Sequence, residues 1–186
     1  GIWQIKPHAV VYTKNIIPLI HVFHPAKKFN VIHDLGYFIR ELNAYPFQDT
    51  LYMRAFMKLS CLIAHRVIAV SDSTRSEVER ILNIRPHKIA VIHEGVEAQF
   101  KPIEKEESRK QLSQNYRVKL PYIFYAGSLS PRKNMKGLLR AFSQIKDKIP
   151  HQLVMTGLSG WETGYEFEFA RQHLGSRLHV TGFLPE

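Results

Sequence analysis

The sequence predicts an α/β fold in two pieces, each built on a mostly parallel sheet. Short apolar runs rich in β-branched residues alternate with segments of helical period, a pattern typical of strand–helix–strand crossover units. The strand runs are continuously apolar, as expected where helices cover both faces of a parallel sheet. The length of 186 residues corresponds to about 1.2 average domains, which permits one domain or two incomplete ones.

Seven runs are predicted to be strands. They are residues 9–12, 29–33, 67–70, 88–93, 122–126, 153–156 and 178–181. Apolar residues at helical spacing predict three helices between them. The helices contain Tyr52, Phe56, Leu59 and Ile63; Val78, Ile81 and Leu82; and Met135, Leu138, Leu139, Phe142 and Ile145.

Sequence signals mark two helix starts and one connection. Residues 74–77, Thr-Arg-Ser-Glu, have the spacing of a capping box, and Asn134 is a favourable N-cap for a helix that begins near Met135. The polar stretch 101–119 has few apolar residues and lies between two strand runs. We therefore expect it to connect the two pieces and to contain a short exposed helix.

Composition excludes several classes of protein. A hydrophobic fraction of 45% and a charged fraction of 23% are ordinary for a folded globular protein. No apolar run reaches the roughly 18 to 20 residues of a membrane-spanning helix. A single cysteine excludes both a disulfide framework and a thiolate zinc site.

The formal net charge of +10 favours an anionic partner such as phosphate, acidic lipid or nucleic acid. Basic residues outnumber acidic ones by 8 to 3 in residues 1–66, by 10 to 8 in 67–119 and by 8 to 5 in 120–186. Because this excess is spread along the chain and forms no basic tail or stripe, we do not expect nucleic acid to be the partner.

The strongest candidate site is the turn after the fifth predicted strand. Gly127 and Ser128 leave room for close approach of a ligand to the backbone. Arg132 and Lys133 then place two cations at the start of the helix that Asn134 caps. A helix N-terminus already carries about half a positive charge, so cations there are unfavourable unless an anion binds. The residues alone leave open whether this is a phosphate site or a solvated turn.

The second candidate lies at the end of the second predicted strand. His33 is placed to bind a ligand, with its ring oriented by Asp34 or by a backbone carbonyl. In the alternative interpretation, Asp34 only caps the next turn and His33 is a polar strand end.

At Ser71 and Asp72, helix capping is a sufficient explanation. The ten histidines form no short-spaced set with a carboxylate on one helical face, so we expect no metal site.

Basic residues also interrupt the apolar segment 51–66. A basic amphipathic helix can lie on an anionic membrane. It can equally pack on the sheet while its cations extend into solvent, and we favour this second interpretation.

Five motifs, in order along the chain, resemble glycosyltransferase family 4, also called glycosyl transferases group 1. They are His-Asp-Leu at 33–35, RVIAVSDST at 66–74, KIAVIHEGVEAQFKP at 88–102, AGSLSPRKN at 126–134 and VTGFLP at 180–185. Each motif is weak alone, but together they span nearly the whole chain. The resemblance implies a retaining enzyme of the GT-B fold, in which two Rossmann-like domains with mostly parallel sheets bind a nucleotide-activated sugar.

The resemblance also implies a domain plan. Residues 1–104 would be the latter part of an N-terminal, acceptor-side domain, and 105–119 a linker. Residues 120–186 would be the first part of a C-terminal domain that binds the nucleotide sugar.

The resemblance assigns roles to the candidate residues. His33 would be the catalytic residue near the transferred sugar, with support from Asp34. Lys133 would bind the donor diphosphate, with Arg132 as a second contact. The remaining members of the phosphate turn are Gly127, Ser128 and Asn134. Fixed cations and a helix N-terminus can stabilise a departing diphosphate, so neither a metal nor another cofactor is expected.

Several residues depart from the family pattern. Glu94 stands where the family usually has Asn, Glu97 where it has Asp, and Ser130 where it has Glu. Ser128 occupies a place where one branch of the family has arginine. The family's Gly-rich loop and its late motif of two glutamates would lie outside residues 1–186. We therefore expect an internal fragment that is inactive by itself.

The leading hypothesis is a hexosyl- or mannosyl-type transferase that uses a nucleotide-sugar donor and a glycan or lipid-linked acceptor. We expect it to be cytoplasmic, with peripheral contact at the inner face of an anionic membrane. One alternative is a noncatalytic basic α/β module that binds nucleic acid or anionic membrane. Another is an enzyme that handles sugar phosphates, such as an epimerase, although the two main motifs fit it less well.

Overall fold

The computed structural model describes residues 2–39, 45–119, 121–128, 133–157, 164–182 and 184. The chain divides into two compact units, Gly1–Glu97 and Ala98–Glu186. Within the described ranges, no helix is both long enough and apolar enough to cross a membrane.

The first unit contains a four-stranded parallel sheet in the order β1-β2-β3-β4. Its elements in chain order are α1 (Ile2–Ile5), β1 (Ala9–Tyr12), β2 (Lys27–Ile32), α2 (Phe47–Ile63), β3 (Arg66–Ala69), α3 (Asp72–Leu82) and β4 (Ile89–Val91). The four strands predicted in this region are confirmed, with ends that differ by one or two residues. Since the strands are parallel, their carboxyl ends lie along one edge of the sheet.

The core of the first unit lies between the sheet and its helices. Ile32 and Val67 contribute fully buried strand side chains, while Val78 and Leu82 contribute the inner face of α3. The predicted apolar pattern of α3 is thus confirmed.

Helix α2 is present as predicted, but the face that it buries is not the apolar stripe that marks the helix in the sequence. Met57, Ser60 and Cys61 are buried, whereas Tyr52 is 50% exposed and Leu59 is 39% exposed. Small side chains allow this face to lie close to the sheet.

Ser60 also provides a hydrogen-bond acceptor for a buried backbone group, because its Oγ accepts from the Ile17 N–H at 2.8 Å. The helix packs on the sheet, as the preferred interpretation expected. Its cation Arg54 does not extend freely into solvent, because its Nε donates to the Tyr37 carbonyl at 2.6 Å.

The second unit contains a three-stranded parallel sheet in the order β5-β6-β7. Its elements are α4 (Lys105–Tyr116), β5 (Tyr122–Ala126), α5 (Met135–Ile145), β6 (Gln152–Thr156), α6 (Gly164–Leu174) and β7 (Leu178–Gly182). The core includes Met135, Leu139 and Phe142 from α5, packed with Leu153 and Met155 of β6. All three predicted strands are confirmed, and so is the amphipathic pattern of α5.

Helix α4 is the short exposed helix that the polar composition predicts. None of its residues is buried. The side chain of Glu104 caps its start by accepting a hydrogen bond from the Glu106 N–H at 2.7 Å. The boundary between the two compact units falls ahead of this helix, so α4 belongs to the second unit.

Candidate functional site

His33 directly follows β2, at the carboxyl edge of the first sheet. Its backbone N–H donates to Asn15 Oδ1 at 2.9 Å, and its carbonyl accepts from Thr74 Oγ1 at 3.1 Å. Asn15 comes from the segment after β1, and Thr74 from the first turn of α3 after β3. Two neighbouring strand ends therefore hold the backbone of His33 in place.

The His33 imidazole lies between two oxygen atoms. Nε2 is 2.9 Å from the carbonyl oxygen of Thr13, and Nδ1 is 3.0 Å from Oε1 of Glu94. The side chains of His33 and Glu94 are 40% and 63% exposed, so a ligand can reach both. Both oxygens are hydrogen-bond acceptors, and a neutral imidazole has only one N–H. Only the protonated ring donates to both at once.

Glu94 is the residue at this site to which sequence reasoning gave no role. It stood out as a departure from the family pattern, without a structural reason. The signal that would have found it is its position after β4, because all four strand ends lie along the same edge.

Asp34 serves the backbone rather than the His33 ring. Its Oδ1 accepts a hydrogen bond from the Gly36 N–H at 2.9 Å, which fixes the turn that follows. Of the two proposed sources of orientation for His33, the carbonyl is present, on Thr13, and the carboxylate belongs to Glu94 rather than to Asp34. The capping interpretation of Asp34 is therefore the correct one.

Helix α3 begins one turn earlier than the capping-box spacing predicts. Its N-cap is Ser71, whose Oγ accepts from the Thr74 N–H at 3.1 Å. Thr74 was expected to cap the helix, but its hydroxyl instead contacts the His33 carbonyl. The simpler interpretation, helix capping, is confirmed for Ser71, whereas Asp72 is the first residue of the helix itself.

The second candidate region follows β5 in the second unit. The Gly127 N–H donates to the Thr156 carbonyl at 3.1 Å and continues the pairing of β5 with β6. The Tyr125 hydroxyl donates to the Ser128 carbonyl at 3.0 Å, which closes the turn over its own strand. Gly127 has a φ of 149°, which is outside the range that other residues readily adopt.

Gly157, at the end of β6, determines where this turn lies, and sequence reasoning missed it. A Cβ atom on Gly157 would be 1.9 Å from the carbonyl oxygen of Gly127. The two strand ends therefore approach each other more closely than any side chain permits. A glycine directly after a predicted strand is the sequence signal, but its partner is visible only in the fold.

Helix α5 starts at the predicted cap. The Oδ1 atom of Asn134 accepts from the Gly137 N–H at 3.2 Å, and Asn134 has a φ of 52°. Gly137 was also missed: a Cβ there would be 2.6 to 2.8 Å from the Asn134 side chain and would displace the cap. Lys133 is exposed immediately before this cap. Arg132, the predicted second cation, lies outside the described residues.

Two other potentially reactive groups do not form a site. Burial raises the pKa of the Cys61 thiol to about 12, so at neutral pH it remains a protonated core side chain. In the described part of the chain, no three His, Cys, Asp or Glu side chains are close enough together to hold a metal ion.

Sequence comparison identifies the family. Residues 4–100 match Glycosyltransferase Family 4, and residues 104–186 match Glycosyl transferases group 1. The chain therefore belongs to glycosyltransferase family 4, as the five motifs predict. Membership favours the transferase hypothesis over the basic module and the epimerase-like enzyme.

Individual relatives agree with this assignment. The chain is 25% identical over 159 residues to the O-antigen chain mannosyltransferase B of Escherichia coli, and the match covers 83% of this chain and 41% of that protein. Among solved structures, Anabaena HepE in complex with UDP and glucose superposes with a TM-score of 0.67 at 17% identity, covering 89% of this chain and 44% of HepE. A glycosyltransferase from Rickettsia africae gives 0.57 at 18% identity, covering 86% and 41%.

These comparisons confirm the GT-B type of α/β fold that the resemblance implied. They also show that the chain spans less than half the length of the relatives that it matches.

Proposed function

We propose that this chain is the part of a retaining glycosyltransferase that holds the donor diphosphate and a histidine acting at the transferred sugar. The observation that carries the proposal is the turn between β5 and α5. It combines a close backbone approach at Gly127, an exposed cation at Lys133 and a capped helix start at Asn134. Family membership supplies the reaction class.

The start of α5 is suited to a diphosphate. The first N–H groups of a helix have no partner inside the helix, and the Asn134 side chain accepts from that of Gly137. The N–H groups before Gly137 remain as donors to an anion, and the positive end of the helix dipole favours negative charge there. When the sugar leaves, charge grows on the diphosphate. Lys133 and this helix end would stabilise it without a metal ion.

The proposed role of His33 is to contact the sugar. Its ring is exposed at the carboxyl edge of a parallel sheet, where ligands of open α/β sheets usually bind. The contacts with Thr13 and Glu94 hold the ring in one orientation. A fixed polar group next to the reacting carbon contributes through orientation and charge stabilisation.

The donor and acceptor are proposed from the relatives. One relative is named a mannosyltransferase, and the solved HepE structures hold UDP, UDP with glucose, or UDP-glucose. We propose a nucleotide-activated hexose as donor and a glycan or lipid-linked acceptor. Such an acceptor would bring the protein into peripheral contact with an anionic membrane at its cytoplasmic face.

The test is a titration of the 186-residue chain with UDP, GDP and ADP, followed by calorimetry or thermal shift. Lys133→Ala should weaken binding of the preferred diphosphate at least about tenfold, because a charge-assisted contact to phosphate is lost. Lys148→Ala is the matched control. It removes the same charge from an exposed position after α5 and should leave affinity unchanged. Equal affinities for the wild type and Lys133→Ala would refute the phosphate role.

A further inference from the structure

A basic cavity lies at the amino-terminal edge of the first sheet, opposite the edge that carries His33. Its volume is about 600 Å³. Lys27 begins β2, Arg66 begins β3, and Lys88 directly precedes β4. Since β2 has six residues, this edge is about 20 Å from His33. The cavity is therefore separate from the site already described.

The lining of this cavity contains more basic residues than the composition of the chain predicts. Five of its seven lining residues are basic: Lys27, His65, Arg66, His87 and Lys88. The other two, Phe29 and Ala64, are apolar, and no lining residue is acidic. With 26 Lys and Arg and 10 His among 186 residues, only one or two basic residues would be expected among seven.

These cations are not neutralised by carboxylates. None of the ion pairs found among the described residues includes a residue of the cavity. Lys88 Nζ donates to the Leu62 carbonyl at 2.5 Å, and Arg66 Nη1 donates to the carbonyl of His87. A lysine has three donor hydrogens and an arginine has five, so each retains further donors.

A hydrogen bond to the backbone determines which ring nitrogen of His65 carries the proton. Its Nδ1 accepts a hydrogen bond from the Lys28 backbone N–H at 3.1 Å, so the proton of the neutral ring is on Nε2. Nε2 is then available as a donor in the cavity that His65 lines. Neutral or protonated, this side chain offers a hydrogen bond to an anion.

A purely structural explanation accounts for only part of the cluster. Lys88 caps a carbonyl in the last turn of α2, where a cation is favourable. Burial lowers the pKa of this ammonium group. Capping does not explain why Lys27, Arg66 and two histidines gather around the same cavity. Four of the five basic residues are exposed, and Lys88 is half-buried. Like charges that gather in one place repel each other, and a bound anion would offset that repulsion.

We propose that this cavity binds a phosphate group, either as a free phosphate ester or as the headgroup of an anionic lipid. Arginine has a rigid fork of donors that suits phosphate oxygens, and lysine adds point charge from a second strand end. A depression of about 600 Å³ has room for the larger molecule that carries such a group. The proposal is independent of the donor site in the second unit.

The experiment uses the 186-residue chain with two probes. One is inorganic phosphate, followed by the amide NMR shifts of residues around Lys27 and Arg66. The other is co-sedimentation with vesicles of phosphatidylcholine, with and without phosphatidylglycerol. The variants are Lys27→Gln and Arg66→Gln, and Arg80→Gln is the control that removes an exposed cation of α3 in the same unit. Lys27→Gln breaks no side-chain hydrogen bond described in the structure, so it tests the cavity even if Arg66→Gln unfolds.

Each cavity variant should weaken binding about threefold to fivefold, while Arg80→Gln leaves it unchanged. Loss of phosphate binding alone would identify a free phosphate ester as the ligand. Loss of binding to phosphatidylglycerol vesicles alone would identify a lipid headgroup. Binding that falls equally in Lys27→Gln and Arg80→Gln would show an effect of net charge and would overturn the proposal. So would the absence of binding to both probes at low salt.

Discussion

Replacing Gly157 by alanine tests whether the close approach of two strand ends holds the phosphate turn in place. The added Cβ would lie 1.9 Å from the Gly127 carbonyl oxygen and 2.7 Å from its carbon, whereas real Cβ atoms essentially never come within 3.0 Å. Both clashing atoms are backbone, so no rotamer change relieves the contact. Either β6 or the start of the turn must move by about an ångström.

The cost can be assembled from the structure. Alanine at a φ of 135° is strained by about 1 to 3 kcal/mol. Moving the strand ends apart weakens two hydrogen bonds, Gly127 N–H to the Thr156 carbonyl at 3.1 Å and Gly157 N–H to the Gly182 carbonyl at 3.0 Å. Each is worth about 1 kcal/mol. We expect Gly157→Ala to lower the free energy of unfolding of the second unit by about 3 to 5 kcal/mol and to abolish diphosphate binding.

The matched control is Gly182→Ala. Gly182 ends the neighbouring strand with a φ of 75°, but a Cβ there would meet no atom of the described residues within 4 Å. This variant carries backbone strain without the clash and should cost about 1 to 2 kcal/mol. Urea unfolding followed by circular dichroism measures the loss, and hydrogen exchange of peptides from β5 and β6 assigns it to the second unit. If Gly157→Ala costs no more than Gly182→Ala, the reasoning from the close approach is refuted.

Two further predictions concern the first unit. In a protein extended to the length of its relatives, His33→Ala should lower the rate of sugar transfer, kcat, more than it weakens nucleotide binding, measured as Kd. An equal loss in kcat and in affinity would show that His33 only supports the fold. Burial raises the pKa of Cys61 from the ordinary 9.0 to about 12, so between these values the unfolded chain releases a proton that the folded chain keeps. The contribution of Cys61 to the free energy of unfolding should therefore be fully present below pH 9 and be lost as the pH rises towards 12. Urea unfolding at a series of pH values measures this loss, and Cys61→Ala should reduce it.

The strands could be predicted because short β-branched apolar runs leave a direct sequence signal. The expectation that helices cover both faces was wrong for β5, where Phe124 is 54% exposed. The face of α2 could not be predicted in the same way. Large apolar residues such as Tyr52 and Leu59 mark a helical period, yet the sheet receives Ser60 and Cys61 because small side chains allow closer packing. Periodicity identified the helix, whereas the shape of its neighbour decided which side is buried.

The candidate site was predictable to the extent that its chemistry is local. The Asn134 cap depends on residues within one helical turn and was found. Gly157 and Gly137 were missed because each is required by an atom that folding brings close, across two strands in one case and against a capping side chain in the other. Thr74 was assigned to the wrong partner for the same reason, since the His33 carbonyl is 41 residues away in sequence.

The contacts of His33 also indicate which of its ring nitrogens would form a hydrogen bond with a ligand. Nδ1 faces the carboxylate of Glu94, and Nε2 faces the neutral carbonyl of Thr13. A hydrogen bond to a charged acceptor is roughly twice as strong as one to a neutral acceptor. In the proposed complex, a sugar hydroxyl would therefore displace the Thr13 carbonyl from Nε2 more easily than it would displace Glu94 from Nδ1. An asparagine at position 94, the residue usual in the family, would remove this charge difference, so glutamate makes the two ring nitrogens unequal.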